Sequence, residues 1–93
     1  MVIIMYMETS IIRENKIIAD FEFEPNEELS LYLRSHILGK GGDDWFIISN
    51  LTRYDVKKIK SLCKSKMEKD LFKNLEAGDS IDILLHFYVY ING

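Results

Sequence analysis

Residues 79–91 read DSIDILLHFYVYI, and this stretch decides the fold. Its odd-numbered positions from Ile81 to Ile91, Phe87 among them, are all apolar, whereas its even-numbered positions are mixed in character. Successive side chains of a β-strand point to opposite faces, so this alternation predicts a strand with its odd face in the core. The even face, which we expect to lie outside the core, carries Asp82, Leu84, His86, Tyr88 and Tyr90.

Two further strands are predicted at the start of the chain. Residues 1–7 are apolar throughout, which is typical of a buried strand, and the strand pattern can continue to Arg13. Glu14 and Asn15 then fit a two-residue hairpin turn. In Lys16–Glu24 apolar and polar residues alternate until a proline ends the strand. The predicted core residues of this strand are Ile17, Ala19, Phe21 and Phe23.

Two helices are predicted after the hairpin. The first begins after Asn26, a good N-cap residue, and keeps helical apolar spacing as far as Ile37. The second begins after Thr52, whose spacing to Asp55 is that of a capping box, and weaker helix formers near Ser65 allow a break in it. Its predicted apolar stripe comprises Val56, Ile59, Leu62, Cys63, Met67, Leu71 and Leu75, and Phe72 lies off this stripe.

The order of these elements predicts the fold class. A glycine-rich loop at 39–44 and a short strand from about residue 45 to 49 separate the helices, which gives the order β-β-α-β-α-β. This order predicts a single α+β domain over residues 1–93, with a mainly antiparallel sheet of three to four strands and two helices packed on one face. Cys63 is the only cysteine and no apolar run is long enough to span a bilayer as a helix, so we expect a cytoplasmic protein.

The acidic residues of the second strand suggest a protein-binding surface. If this strand lies near the last one, its outward carboxylates share an open sheet face with the even side of residues 79–91. Carboxylates beside tyrosines suit the recognition of a basic protein surface. We therefore predict a small inhibitor without its own catalysis, most concretely an immunity protein or antitoxin that neutralises a basic, nuclease-type toxin. The predicted partner-binding residues are Asp20, Glu22, Glu24, Glu27, Glu28, Asp82, His86, Tyr88 and Tyr90.

Basic residues concentrate in the second helix and predict an alternative function. From Thr52 to Lys73 there are eight basic and three acidic residues, whereas the rest of the chain has four basic and twelve acidic ones. Four of these basic residues recur at steps of four, three and four, so they form one basic ridge along the helix. This ridge could follow a phosphate backbone as a nucleic-acid-binding site. Its residues are Arg53, Lys57, Lys60 and Lys64. Against this alternative, the ridge has no interleaved aromatic residue and the whole chain carries a net charge of −3.

The sequence contains no pattern that predicts a metal, a cofactor or an active site. The glycine loop at 39–42 leaves a helix and is followed by two aspartates, the reverse of a phosphate-binding loop. His36 and His86 are the only histidines, and they could act as acid and base only if the fold brings them together. We therefore expect a protein that is not an enzyme. Whether it is a monomer or a homodimer is left open by the sequence.

Overall fold

A computed structural model describes residues 2–35 and 45–90 of the chain, with backbone alone at positions 2, 3, 89 and 90. The predicted glycine loop, His36 and Ile91 lie outside the described residues. The elements are β1 (Val2–Arg13), β2 (Lys16–Phe23), α1 (Glu27–Arg34), β3 (Trp45–Ile48), α2 (Arg53–Leu62), α3 (Lys66–Phe72) and β4 (Ser80–Tyr90). No helix among the described residues is long and apolar enough to cross a membrane.

The four described strands form one antiparallel sheet in the order β2-β1-β4-β3. The predicted α+β class is confirmed, with three helices in place of two. Met7 of β1 lies opposite Phe23 on one side and Leu85 on the other, so side chains from three strands meet on one face. The helices pack against this face, and the buried core lies between the two layers.

The β1–β2 hairpin forms as predicted, but a bulge alters its faces. Glu14 and Asn15 both have positive φ, which is the backbone that a two-residue hairpin turn of this type requires. Further along, Ile11 pairs with Ala19 but the next residue of β1 pairs with Ile17, so β2 contains one extra residue. An extra residue reverses which side chains face the core. Ile17 was therefore wrongly predicted as a core residue, and 63% of it is exposed.

The long second helix is divided in two, and the division changes which residues are buried. Ser65 caps α3 in a capping box with Glu68, so the helix restarts with a new phase after the break. The predicted stripe through Met67 is wrong, because Met67 is 55% exposed. Phe72, which was predicted off the stripe, is fully buried and packs edge-on against Phe21 and Phe23 at ring-centroid distances of 5.5 and 5.6 Å.

The core covers only part of β4. Ile81 and Ile83 are completely buried, and Leu85 is the last buried residue among the side chains of the odd face that the structure describes. Phe87 was predicted in the core but is 49% exposed, and its cross-strand partner Met5 is only partly buried. Burial thus declines along the odd face from Ile83 to Phe87, which leaves Phe87 at the margin of the helical layer.

Candidate functional site

The face of the sheet opposite the helices is the candidate site. Side chains directly opposite each other on neighbouring strands share a face, so the register arranges them in rows across the sheet. One row consists of Glu22, Glu8, Leu84 and Trp45. The next row consists of Asp20, Ser10, Asp82 and Ile47. We call these two rows, together with Tyr6, His86 and Tyr88 beside them, the open sheet face.

The strand order separates the predicted acidic residues of β2 from Asp82 of β4 but keeps them on one surface. β1 lies between β2 and β4, so Asp20 and Asp82 are two strands apart, or about 10 Å. Ser10 lies between them in the same row and donates a hydrogen bond to the Asp20 carboxylate at 3.4 Å. Glu8 lies next to Glu22 in the other row, and sequence reasoning missed it because it stands at the end of an apolar run. Four carboxylates therefore share the open sheet face.

The open sheet face also has an apolar side, which sequence reasoning missed. Trp45 and Ile47 of β3 are exposed beside Leu84, and Trp45 is 54% exposed although it is the only tryptophan of the chain. The indole N–H of Trp45 donates a hydrogen bond to Asp82 Oδ1, which orients both side chains. The two side chains line a shallow depression of about 200 Å³ together with Glu8, Ser10 and Leu84. β3 reads WFII and is apolar at every position, so the sequence contains no signal that separates its exposed residues from its buried ones.

His86 lies on the open sheet face. The other histidine, His36, is outside the described residues, so the structure does not test whether the two come together. The Nε2 of His86 lies 2.8 Å from Glu8 Oε2, so the ring is held by a carboxylate of the neighbouring strand. Tyr88 contacts Tyr6 edge-on, with ring centroids 5.3 Å apart. The backbone of Tyr90 lies opposite Val2, and its side chain is outside the described structure.

The structure does not bring the remaining predicted acids to the open sheet face. Glu24 is exposed just beyond the end of β2. Glu27 and Glu28 lie in the first turn of α1, which belongs to the helical layer on the other side of the sheet. Lys64 Nζ donates a hydrogen bond of 2.7 Å to Glu28 Oε1, and this bond lowers the pKa of the Glu28 carboxyl. The predicted grouping of Glu27 and Glu28 with the sheet acids is therefore wrong.

The basic ridge is shorter than predicted and lies beside an aromatic residue. Arg53, Lys57 and Lys60 line one shallow depression on α2, together with Tyr54. The sequence analysis counted no aromatic residue in the ridge itself, but Tyr54 is 68% exposed beside these cations and lines the same depression. Lys64 follows the end of α2 and pairs with a carboxylate of α1, so it does not continue the ridge.

A buried carboxylate, Glu68, also escaped the sequence reasoning. It is 2% exposed and accepts hydrogen bonds from the backbone N–H groups of Asn26, Lys64 and Ser65 at 2.7, 3.0 and 3.1 Å. Asn26 Nδ2 donates to both of its oxygens. Burial alone would raise the pKa of the Glu68 carboxyl, but these hydrogen bonds outweigh it and lower the pKa to about 2. With every oxygen satisfied inside the fold, Glu68 is a structural group.

Asp79 is a second buried carboxylate with a structural role. Arg13 holds it through two hydrogen bonds of 2.9 Å, from Nε and Nη2, and the backbone N–H of Glu76 donates a third. The hydrogen bonds from Arg13 lower the pKa of Asp79 against the opposing effect of burial. This pair fastens the end of β1 to the turn that precedes β4.

Within the described residues, no three histidine, cysteine, aspartate or glutamate side chains are grouped as a metal site requires. Comparisons of the chain with protein-family models, with curated proteins and with solved structures found no match. The open sheet face and the ridge of α2 are thus the two surfaces from which a function can be argued.

Proposed function

We propose that this protein binds a basic region of another protein through its open sheet face. In the most specific form of the proposal it is an immunity protein or antitoxin that occludes the cationic surface of a nuclease-type toxin in the cytoplasm. The observation that supports it is the arrangement of four carboxylates beside an exposed tryptophan on a rigid sheet. The carboxylates are those of Glu8, Asp20, Glu22 and Asp82.

The chemistry of this face suits arginine and lysine side chains of a partner. Carboxylates attract a cationic surface over several ångströms and accelerate its association. The exposed indole of Trp45 offers a flat ring face for a guanidinium or ammonium group, while Ile47 and Leu84 supply apolar area around it. A nuclease binds its polyanionic substrate with the same kind of cationic surface, so a protein bound there would exclude the substrate.

The electrostatic part of the proposal is tested by charge reversal with a charge-matched control. Asp20→Lys with Glu22→Lys should slow association with a cognate basic toxin on the order of tenfold at low salt and flatten its salt dependence. Glu27→Lys with Asp70→Lys makes the same change of net charge in the helical layer and should slow association much less. Stopped-flow emission of Trp45, the only tryptophan, can follow the reaction if the toxin candidate lacks tryptophan. Equal slowing by both pairs would contradict the assignment to this face.

The short-range part of the proposal is tested at Trp45. Replacing a central aromatic anchor typically costs at least about 2 kcal/mol of binding, so Trp45→Ala should accelerate dissociation by roughly thirtyfold. The product of the neighbouring reading frame is the natural toxin candidate, and co-expression should protect cells less well when Trp45 is replaced. Tyr54→Ala removes an even more exposed aromatic from α2 and serves as the control. Unchanged dissociation after Trp45→Ala would refute the proposed contact.

One observation favours nucleic-acid binding as the second candidate function. Tyr54 is exposed between Arg53 and Lys57, and a base can stack on an aromatic ring while cations hold the backbone. In this case a labelled single-stranded oligonucleotide should bind at low salt and lose affinity steeply as salt is added. Tyr54→Ala should weaken that binding on the order of tenfold, and Trp45→Ala should leave it unchanged. The same two variants thus separate the two candidate functions.

A further inference from the structure

The two sides of β4 differ in their pairing. On one side β1 pairs with β4 along its whole length, from Ser80 to Tyr90. On the other side β3 pairs only with residues 81–84. Among the described residues, no strand pairs with this second side of Leu85–Tyr90. Successive residues of a strand direct their backbone N–H and C=O groups to alternate edges, so three of these six residues direct them toward the side that β3 does not reach.

This edge lacks the residues that usually prevent an edge strand from pairing with a second chain. Natural edge strands carry charged residues, prolines or bulges that prevent a second chain from adding to the sheet. β2, the edge strand at the far side of the sheet, has such features, since it contains a bulge and charged residues including Lys16, Asp20 and Glu22. Leu85–Tyr90 reads LHFYVY and contains no proline, aspartate, glutamate, lysine or arginine.

We propose that Leu85–Val89 pairs antiparallel with the same segment of a second copy, around a two-fold axis at Phe87. This register places each Phe87 opposite its own copy, His86 opposite Tyr88, and Leu85 opposite Val89. Odd positions then face odd positions, so the helical layers of both copies lie on the same side of one eight-stranded sheet. The proposal is independent of the function proposed above.

Two features of the chain favour a second copy as the occupant of this edge. The protein carries a net charge of −3, but Leu85–Tyr90 has no aspartate, glutamate, lysine or arginine, and the register places His86 opposite Tyr88, so two copies can meet without placing like charges opposite each other. Phe87 is about half exposed because the helical layer ends before it, and the two-fold register would cover each Phe87 ring with the ring of the other copy.

Sedimentation of the full chain from about 10 µM to about 1 mM tests the proposal. We expect a dimer, and we expect Phe87→Lys and Phe87→Glu each to raise its dissociation constant on the order of tenfold or more, because like charges then face each other across the axis. An equimolar mixture of the two variants should dimerise again, since it pairs opposite charges. Ile17→Lys, at an exposed apolar residue of β2, should leave the dimer unchanged. Circular dichroism confirms that each variant is folded.

A cross-linking experiment tests the register without charge. Opposed residues of an antiparallel pair have Cα atoms about 4.5–5.5 Å apart, which a disulfide can bridge. Phe87→Cys should therefore form a disulfide dimer with oxidised glutathione, while the native thiol of Cys63 is buried and stays out of reach. Ile47→Cys, on the open sheet face, is the control. A chain that is monomeric at every concentration, a dimer indifferent to Phe87→Lys, or cross-linking at position 47 in preference to 87 would each overturn the proposal.

Discussion

Glu68→Gln should destabilise the protein although it preserves the size of the side chain. The Glu68 carboxylate accepts hydrogen bonds from the backbone N–H groups of two N-cap residues, Asn26 before α1 and Ser65 before α3. An amide has one acceptor oxygen and turns its NH₂ group toward N–H donors that the second carboxylate oxygen had satisfied. The buried donors then lose their partner, and each such loss costs about 1–3 kcal/mol.

The pKa of Glu68 gives an independent magnitude. A folded-state pKa of about 2, against an ordinary value of 4.5, corresponds to about 3 kcal/mol of stability at neutral pH. Because the pKa is lower in the folded state, this contribution is complete above the ordinary value and is lost as the pH falls through 4.5 toward 2. About 2 kcal/mol of it should be gone at pH 3. The glutamine variant has no carboxylate at this position and cannot show that part of the loss.

Urea unfolding followed by circular dichroism at about pH 7 and pH 3 measures both quantities. At pH 7 we expect Glu68→Gln to lower the free energy of unfolding by about 3 kcal/mol, with a fall of roughly 10–20 °C in Tm. Asp70→Asn removes an exposed carboxylate from the same helix and should change it by less than about 0.5 kcal/mol. The capping role is refuted if the free energy of unfolding of Glu68→Gln at pH 7 lies within about 1 kcal/mol of the wild-type value. It is also refuted if the variant loses as much stability between pH 7 and pH 3 as the wild type does.

Three further predictions concern the core and its polar contacts. In urea titrations, Phe72→Ala should lower the free energy of unfolding by about 3–5 kcal/mol and Met67→Ala by less than about 0.5 kcal/mol. The reverse order would mean that α2 and α3 form one continuous helix. Arg13→Gln should raise the pKa of Asp79, which NMR can follow through the chemical shift of the carboxyl carbon. An unchanged pKa would contradict the pairing of Arg13 with Asp79. Burial raises the pKa of Cys63 to about 11, so a thiol reagent at pH 8 should label it only after urea is added, and rapid labelling of the native protein would contradict this.

The sequence was sufficient to predict the features that are encoded in neighbouring residues. The alternation in residues 79–91 predicted β4, and the Thr52–Asp55 capping box marked the start of α2. Both are local signals, because a strand or a helix start is encoded in neighbouring residues. The same spacing of serine and glutamate at Ser65 and Glu68 marks the start of α3, so the division of the second helix was also readable in the sequence.

The remaining features depend on contacts between residues that are distant in sequence. Strand order decided which residues share the open sheet face, and no local pattern places β1 between β2 and β4. The bulge in β2 exposed Ile17 without any glycine to mark it. Phe87 is indistinguishable from Leu85 by pattern, and its exposure follows only from where the helical layer ends.

The position of β1 in the sheet also sets the order of events during synthesis. β1 pairs on one side with its hairpin neighbour β2, but on the other side with β4, which lies roughly 70–90 residues further along the chain. At about 5–20 residues per second, the ribosome needs several seconds to make the chain between the hairpin and β4. Throughout that interval the nascent hairpin carries an apolar strand with one edge unsatisfied. This is the species that a chaperone at the ribosome would meet, and in which aggregation competes with folding.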